Sequence, residues 1–217
     1  CAPCPICTRM RARCRAPLAH GAQHLVLIDS ISPRRAPTAG RALEAKQMNV
    51  AEWAAYVTRF REICKMGVDH GLTVGIHAHA AGFMDFEPEL ERLLSEIPED
   101  LLQICFDTGH HSYAGFDPIA FMKKWISRIS YLHFKDIDPK VKADVIGKRT
   151  GFYDACGQGI FCNLGDGDVD FSAARQLLLD NEFQGWCTVE QDCDPTLDVR
   201  PVDDARLNRT YLQSIGF

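Results

Sequence analysis

The sequence contains no apolar run long enough to cross a bilayer and no excess of positive charge. Its longest hydrophobic stretches have the length of a strand, whereas a membrane-spanning helix needs about 20 apolar residues. With 24 Lys and Arg against 29 Asp and Glu, the formal net charge of the 217 residues is −5. This balance argues against a nucleic-acid surface, which needs clustered positive charge. No secretory signal pattern opens the chain, so the sequence predicts a cytoplasmic protein with neither nucleic-acid nor membrane partners.

A disulfide framework is also lacking, although the chain has ten cysteines. Cys1, Cys4, Cys7 and Cys14 lie in the first segment, and the other six are scattered along the chain. Because 46% of the residues are hydrophobic and can form a core, scattered thiols indicate a reducing compartment. The spacing of the four N-terminal cysteines leaves open a zinc or iron–sulfur site, but no second pair of ligands follows them.

The first 23 residues differ in composition from the rest of the chain. Residues 1–18 are mostly Cys, Arg, Ala and Pro without an amphipathic period, and strand-like sequence begins at His24. We therefore interpret residues 1–23 as an atypical Cys- and Arg-rich leader, either a fragment edge or an out-of-frame translation. It is not expected to be native barrel sequence, and the folded domain is expected to cover residues 24–217.

Strand and helix patterns alternate from residue 24 onward. Apolar runs predict five strands, at 24–29, 72–79, up to 107, 129–136 and 185–192. Helical periodicity and capping signals predict helices at 50–68, 88–97, from 118 onward, 172–181 and 202–215. Five successive strand–helix units imply a parallel sheet with right-handed crossovers, which is either a barrel or an open doubly wound sheet.

Polar side chains stand at the ends of several predicted strands. Since alternate residues of a strand share a face, four pairs are expected on one face of the sheet: His77 with His79, Cys105 with Asp107, His133 with Lys135, and Glu190 with Asp192. An open sheet concentrates its ligand at one switch point, whereas convergence from several strand ends suits the mouth of a barrel. The sequence therefore predicts an α/β fold of the (β/α)8 TIM-barrel type and a metalloenzyme.

These motifs resemble those of the xylose-isomerase-like TIM barrels, the superfamily of sugar isomerases, epimerases and endonuclease IV, and within it the inosose dehydratases. The resemblance rests on His-Ala-His-Ala-Ala-Gly at 77–82, Phe-Asp-Thr-Gly-His at 106–110, Tyr-Ala-Gly-Phe-Asp-Pro at 113–118, His-Phe-Lys-Asp at 133–136, Gly-Asp-Gly-Asp-Val-Asp-Phe at 165–171, and Gly-Trp at 185–186 with Val-Glu-Gln-Asp at 189–192. It covers roughly residues 24–217. It implies an eight-unit barrel whose first three units are absent here, leaving an N-terminally truncated barrel of about five units.

The resemblance also implies a bound divalent metal ion. Asp107, His133 and Glu190 are the expected ligands, and His79 is the expected fourth, although His77 and Glu87 leave that choice open. Two carboxylates with one or two imidazoles suit Mn²⁺ or Co²⁺, and Zn²⁺ or Mg²⁺ stays an alternative.

The remaining candidate residues concern the reaction. The expected catalytic groups are His110, Lys135 and His77, and the expected substrate contacts are Glu87, Asp136 and Trp186. The expected substrate is a small polyol or sugar carrying a ketone, from which a base removes the α-proton with help from the metal. Loss of the β-hydroxyl then gives dehydration of an inosose, whereas reprotonation without loss gives isomerisation or epimerisation.

Two rival classes stay open at this point. A phosphodiesterase acting on damaged DNA would need further histidine ligands after the fourth strand, and residues 137–165 contain no histidine. An inactive barrel fragment is the other rival, since five strands cannot close an eight-stranded barrel. Such a chain is expected to expose a sheet edge and can form a homo-oligomer.

Overall fold

The computed structural model of the chain describes residues 20–194, 196 and 200–217. The interpretation of residues 1–23 as a leader, and the front cysteine cluster with it, falls almost entirely outside the described residues. Among the described residues, no helix is both long enough and apolar enough to cross a membrane.

The described residues form seven strands and eight α-helices. The strands are β1 (His24–Ile28), β2 (Thr73–His77), β3 (Gln103–Asp107), β4 (Ile129–Phe134), β5 (Asp136–Ile137), β6 (Phe161–Cys162) and β7 (Trp186–Val189). The helices are α1 (Val50–Asp69), α2 (Glu87–Glu96), α3 (Thr108–Tyr113), α4 (Pro118–Trp125), α5 (Pro139–Gly147), α6 (Phe152–Gly157), α7 (Phe171–Asp180) and α8 (Pro201–Ser214). Short 3-10 helices at Ala36–Thr38 and Ile126–Arg128 complete the set.

Five of the strands form one parallel sheet in the order β1-β2-β3-β4-β7, with the helices as crossovers. This confirms the predicted α/β fold of the TIM-barrel type with about five strand–helix units, present as an open part of a barrel. The fourth strand was expected to run through residue 136, but β4 ends at Phe134. Asp136 instead begins β5, which pairs antiparallel with β6.

The helix starts follow from local chemistry. The Asn49 side chain accepts a hydrogen bond from the Glu52 backbone N–H, and the Glu52 side chain accepts one from the Asn49 N–H, both at 2.9 Å. This reciprocal pair satisfies two amide donors that the first turn of α1 leaves free, as the sequence predicts. The Asp117 side chain alone caps α4, by accepting from the N–H of Ile119 at 2.8 Å.

The main core lies between the sheet and its helices. Outward-facing strand residues pack against buried residues of α1, α2 and α4; these strand residues include Val74, Ile76, Ile104, Phe106, Leu132 and Phe134. The opposite face of the sheet carries the alternate, mainly polar positions that the period of two predicts. A fold that buries one face of each strand therefore fixes which side chains reach the inside of the barrel.

A second apolar cluster lies above the carboxyl ends of the strands. It joins the loop after β1 to the segment that contains α5, α6 and β6, through buried residues such as Ala39, Tyr113, Val145, Phe152 and Phe161. We call this set of five residues the rim cluster. It holds two loops in place beside the strand ends.

The two outer strands of the sheet are β1 and β7, and each pairs with a single strand among the described residues. Large apolar side chains on them are exposed: Ile28 is 51% exposed, Trp186 63% and Val189 36%. Grooves of about 670 and 510 Å³ flank β1 and β7 respectively. The described sheet is thus open with apolar edges, as the sequence predicts.

Candidate metal centre

Four side chains from four neighbouring strands converge at the carboxyl edge of the sheet. His77 ends β2, Asp107 ends β3, His133 lies in β4 opposite Asp107, and Glu190 follows β7. The Glu190 backbone N–H donates to the Phe134 carbonyl at 3.0 Å, which continues the pairing of β7 with β4. Each of the four residues offers one ligand atom, and these atoms all lie within 4.8 Å of one another.

The converging atoms lack hydrogen-bond partners among the described residues. Both ring nitrogens of His77, Asp107 Oδ2, His133 Nδ1 and Glu190 Oε2 are buried and unpaired. His133 Nδ1 lies 2.7 Å from Glu190 Oε2 and 3.7 Å from Asp107 Oδ2, but outside hydrogen-bonding angles. A buried polar atom left unpaired costs about 1–3 kcal/mol. Several such atoms aimed at one point fit a divalent cation, which would satisfy all of them together.

Neighbouring contacts orient these ligand atoms. Asp107 Oδ1 accepts from the His110 N–H at 2.8 Å, which caps α3 and leaves Oδ2 free toward the centre. His133 Nε2 lies 3.6 Å from Cys105 Sγ, so its Nδ1 faces the carboxylates. Asp107 and His133 therefore each have one atom held by a neighbour and the other directed inward.

The environment moves the pKa values of the ligands in different directions. Burial raises the pKa of Asp107 to about 6, against the opposing charge of Lys135. Burial alone would also raise the pKa of Glu190, but contact with His133 and the charge of Lys135 outweigh it and lower that pKa. Burial and the neighbouring charge of His133 hold the pKa of His77 well below its ordinary value, so this ring is neutral at pH 7 and can act as a ligand.

Lys135 lies beside the four converging side chains. Its Nζ is 3.0 Å from Asp192 Oδ2, 3.4 Å from Glu190 Oε2, 3.5 Å from Asp107 Oδ2 and 2.9 Å from His110 Nε2. Burial alone would lower the pKa of this ammonium, but the three carboxylates raise it, so Lys135 is charged. The pKa of His110 is held well below its ordinary value by burial and then by Lys135, so its ring is neutral.

The Asp-Thr-Gly-His motif explains how Lys135 reaches this position. Thr108 Oγ1 donates to the Lys135 carbonyl at 2.7 Å and accepts from the Lys135 N–H at 3.1 Å. A Cβ at Gly109 would come within 2.5 Å of Lys135 Cγ, so only glycine leaves room for the lysine stem. The Nε2 atom of His110 lies 2.9 Å from the Lys135 ammonium. Thr108, Gly109 and His110 thus each make a different contribution to the position of Lys135.

The structure places His77, and not His79, among the four converging residues. β2 was expected to run to residue 79, but its pairing with β1 ends at His77, opposite Ile28. In the loop that follows, the centroid of the His79 ring lies 3.9 Å from that of the His110 ring. His79 therefore joins a second group, in which His79, His110 and Asp192 offer ligand atoms within 4.8 Å of one another.

The three expected substrate contacts lie elsewhere. The Glu87 carboxylate is 3.4 Å from His111 Nε2, between the sheet and the helix layer. The Asp136 carboxylate accepts from four backbone N–H groups, those of Ile137, Gly165, Gly167 and Val169. It therefore organises the loop at 165–171. Trp186 starts β7, opposite Tyr131, so it stands at the other end of the strand from Glu190.

Sequence reasoning did not assign Asp192 or two aromatic side chains of the rim cluster. Asp192 shares the strand face of Glu190, and this alternation was the signal that could have found it. The Phe152 ring lies 5.4 Å from that of His79, and the Phe161 ring 5.1 Å from that of His110. These rings cover the two histidines, and no local pattern in the sequence indicates that contact.

Comparison with known proteins assigns the fold to a family. The family model described as xylose isomerase-like TIM barrel matches residues 8–215. The chain belongs to this family. An inosose dehydratase of Clostridium botulinum (strain Alaska E43 / Type E3) is 30% identical over 165 residues, which are 76% of this chain and 55% of that protein. An inosose dehydratase of Clostridium tetani (strain Massachusetts / E88) is 32% identical over 162 residues, 75% of this chain and 54% of that protein.

Solved structures share the same architecture. The probable 3-DHS dehydratase AsbF of Bacillus anthracis has a TM-score of 0.73 at 17% identity. The match covers 98% of this chain and 72% of AsbF. The IOLI protein with a bound zinc atom has a TM-score of 0.69 at 12% identity, over 68% of its length and 96% of this chain. At these identities the likeness concerns the fold. The chain spans about half the length of the inosose dehydratases that it matches.

Proposed function

We propose that this chain carries the metal centre of an enzyme that removes the α-proton of a keto-polyol, and that its reaction is the dehydration of an inosose. The observation that carries the proposal is the convergence of His77, Asp107, His133 and Glu190 beside a charged Lys135 and a neutral His110. The two inosose dehydratases at 30% and 32% identity support the substrate class.

Two imidazoles and two carboxylates form a donor set of intermediate hardness, for which we propose Mn²⁺ or Co²⁺. Zn²⁺ or Mg²⁺ is the alternative, and zinc is the ion named for the IOLI neighbour. Relative to the expectation from sequence, His77 replaces His79 as the fourth ligand, because its ring lies with the carboxylates. A divalent ion here would polarise the ketone of the substrate and acidify the neighbouring C–H.

The protein's own groups supply the proton transfers. A neutral imidazole can accept a proton, and we assign His110 as the base because its ring is unprotonated and its centroid lies 5.5 Å from that of His77, beside the metal centre. An ammonium can donate one, and we assign Lys135 as the acid that protonates the leaving hydroxyl. The two nitrogen atoms are 2.9 Å apart, so a proton gained by one can be returned through the other. The carboxylates of Asp107, Asp192 and Glu190 keep Lys135 protonated, so it has a proton to donate.

A sugar isomerase or epimerase of the same family is the second candidate, since the same pair can return the proton to carbon without loss of hydroxyl. An inactive fragment is the third, because the chain covers only about half of its dehydratase relatives. The small-molecule substrate, a homo-oligomeric state and a cytoplasmic location stay predictions.

One experiment separates these candidates. The purified chain is loaded with Mn²⁺ or Co²⁺ and incubated with 2-keto-myo-inositol in deuterated water, and the products are followed by NMR. Loss of the β-hydroxyl supports the dehydratase, whereas deuterium at the α-carbon without loss of hydroxyl supports the epimerase. Bound metal without turnover supports the inactive fragment, and absence of bound metal refutes the metal centre.

A further inference from the structure

We propose that Lys135 serves as a built-in second cation, which limits this centre to one divalent ion and blocks a latent second metal site formed by His79, His110 and Asp192. The inference rests on the proposed metal centre and goes beyond it. It assigns to one residue the control of how many ions the barrel holds.

The position of the ammonium is the first argument. Lys135 Nζ lies 3.4 and 3.5 Å from carboxylate oxygens of Glu190 and Asp107, which belong to the four-residue group. It also lies 3.0 Å from Asp192 and 2.9 Å from His110, which belong to the second group. The side chain is 1% exposed, so the charge is enclosed between the two groups.

The second group has the features of a metal site apart from the lysine. His79 Nδ1 lies 2.7 Å from the Ala80 carbonyl, which fixes the ring and leaves Nε2 as the free ligand atom. His110 Nε2 and Asp192 Oδ2 are the atoms that face the ammonium. These three residues offer ligand atoms within 4.8 Å of one another, the same limit as for the first group. The lysine head therefore occupies the place where a second ion would be held.

Charge balance gives an independent argument. Three carboxylates lie within 3.5 Å of Lys135 Nζ, those of Asp107, Glu190 and Asp192. One ammonium and one divalent ion balance three carboxylates. A second divalent ion beside Lys135 would leave an excess of positive charge in a largely buried region, which is unfavourable. In a chain without Lys135, two divalent ions carry four positive charges against three carboxylates, which is an excess of only one charge.

The experiment counts metal ions. The wild-type chain, Lys135→Met, and the double variant Lys135→Met with Asp192→Asn are each saturated with Mn²⁺, dialysed, and measured by mass spectrometry of the metal against protein concentration. We expect one ion per chain for the wild type, two for Lys135→Met, and one for the double variant. Electron paramagnetic resonance of Mn²⁺ should show an isolated ion in the wild type and two coupled ions in Lys135→Met.

The control is Lys142→Met. Lys142 is half-buried, contacts Ser112 and lies outside both groups. This variant should bind one ion. Circular dichroism checks that each variant is folded, and Lys135→Gln, which keeps a polar head, replaces Lys135→Met if the latter does not fold. Two ions in the wild type, or one in the folded variants that lack Lys135, would overturn the inference. No ion in the wild type would instead refute the metal centre itself.

Discussion

Asp107 and Asp85 are two buried aspartates whose surroundings give them different roles. The Oδ2 atom of Asp107 makes no hydrogen bond, but the Lys135 ammonium lies 3.5 Å away and offsets its charge. The carboxylate of Asp85 accepts from the Ala81 N–H at 3.0 Å, while its other oxygen is buried without a partner. A carboxylate can therefore contribute to a site or cost stability, depending on the groups that face it.

Asp85 should make the stability of the protein depend on pH. Burial raises the pKa of Asp85 to about 7 in the folded chain. In the unfolded chain the Asp85 carboxyl has its ordinary pKa, near 4. Between pH 4 and 7 this group is therefore protonated in the folded chain but ionised in the unfolded chain. The free energy of unfolding should therefore fall as pH rises through that window, by as much as about 4 kcal/mol. Asp85→Asn should remove this dependence of the free energy of unfolding on pH, and it should stabilise the chain at pH 8.

Chemical denaturation at pH 4, 6 and 8 measures this effect. Asp100→Asn, a change at an exposed aspartate, serves as the control and should leave the dependence on pH unchanged. If Asp85→Asn keeps the wild-type dependence on pH, Asp85 is ionised in the folded state and the assignment is wrong.

Glu190→Gln tests the metal centre at the same scale. The amide keeps the shape of the side chain but removes one of two negative ligands, so metal affinity should fall at least about 100-fold. In an active enzyme kcat should fall by orders of magnitude as well. A competition titration against a chelator measures the affinity, with the exposed Glu62→Gln on α1 as the control. Unchanged affinity in Glu190→Gln would exclude Glu190 as a ligand.

At the scale of the elements, two glycines in helices give opposite predictions. A Cβ on Gly109 in α3 would lie 2.5 Å from Lys135 Cγ, whereas a Cβ on Gly147 in α5 would meet no atom within 4 Å. Gly109→Ala should displace Lys135 and lower the free energy of unfolding by about 1–3 kcal/mol. Gly147→Ala should raise it by about 0.5–1 kcal/mol, since alanine is the better helix former.

Thermal denaturation of the two glycine variants, side by side, measures these changes. The comparison separates helix propensity from packing, because both substitutions add the same methyl group to a helix. A Gly109→Ala variant as stable as Gly147→Ala would show that Lys135 does not need the space above Gly109.

The elements themselves were largely predictable from sequence. Apolar runs indicated all five strands of the main sheet, and the capping pair of Asn49 and Glu52 indicated the start of α1. The end of β2 was not predictable, because it depends on where β1 stops pairing. For that reason His77 and His79 could not be told apart as ligands. The sequence predicts neither a helix nor a strand between residues 137 and 171. The two short helices and the β5–β6 pair found there depend on the rim cluster and on contacts distant in sequence.

At the scale of the whole molecule, the described sheet brings His77, Asp107, His133 and Glu190 together without a closed barrel. The strands that carry or precede them are consecutive neighbours in the order β2-β3-β4-β7. Substrate binding has a different requirement, since a pocket needs walls on all sides. We therefore expect this chain to bind a metal ion even if its catalytic turnover is weak.

The open edges should make the chain associate with itself. Unpaired strand edges with large apolar side chains favour pairing with another copy, and Trp186 on β7 is 63% exposed. Trp186→Lys places a charge on that edge, far from Glu190 at the other end of the strand, and should weaken association at least about tenfold. Leu43→Lys is the matched control, because Leu43 is fully exposed but lies in the loop after β1. Sedimentation velocity over a range of concentrations measures the association. A monomer at every concentration, or equal weakening by both variants, would show that the β7 edge does not drive assembly.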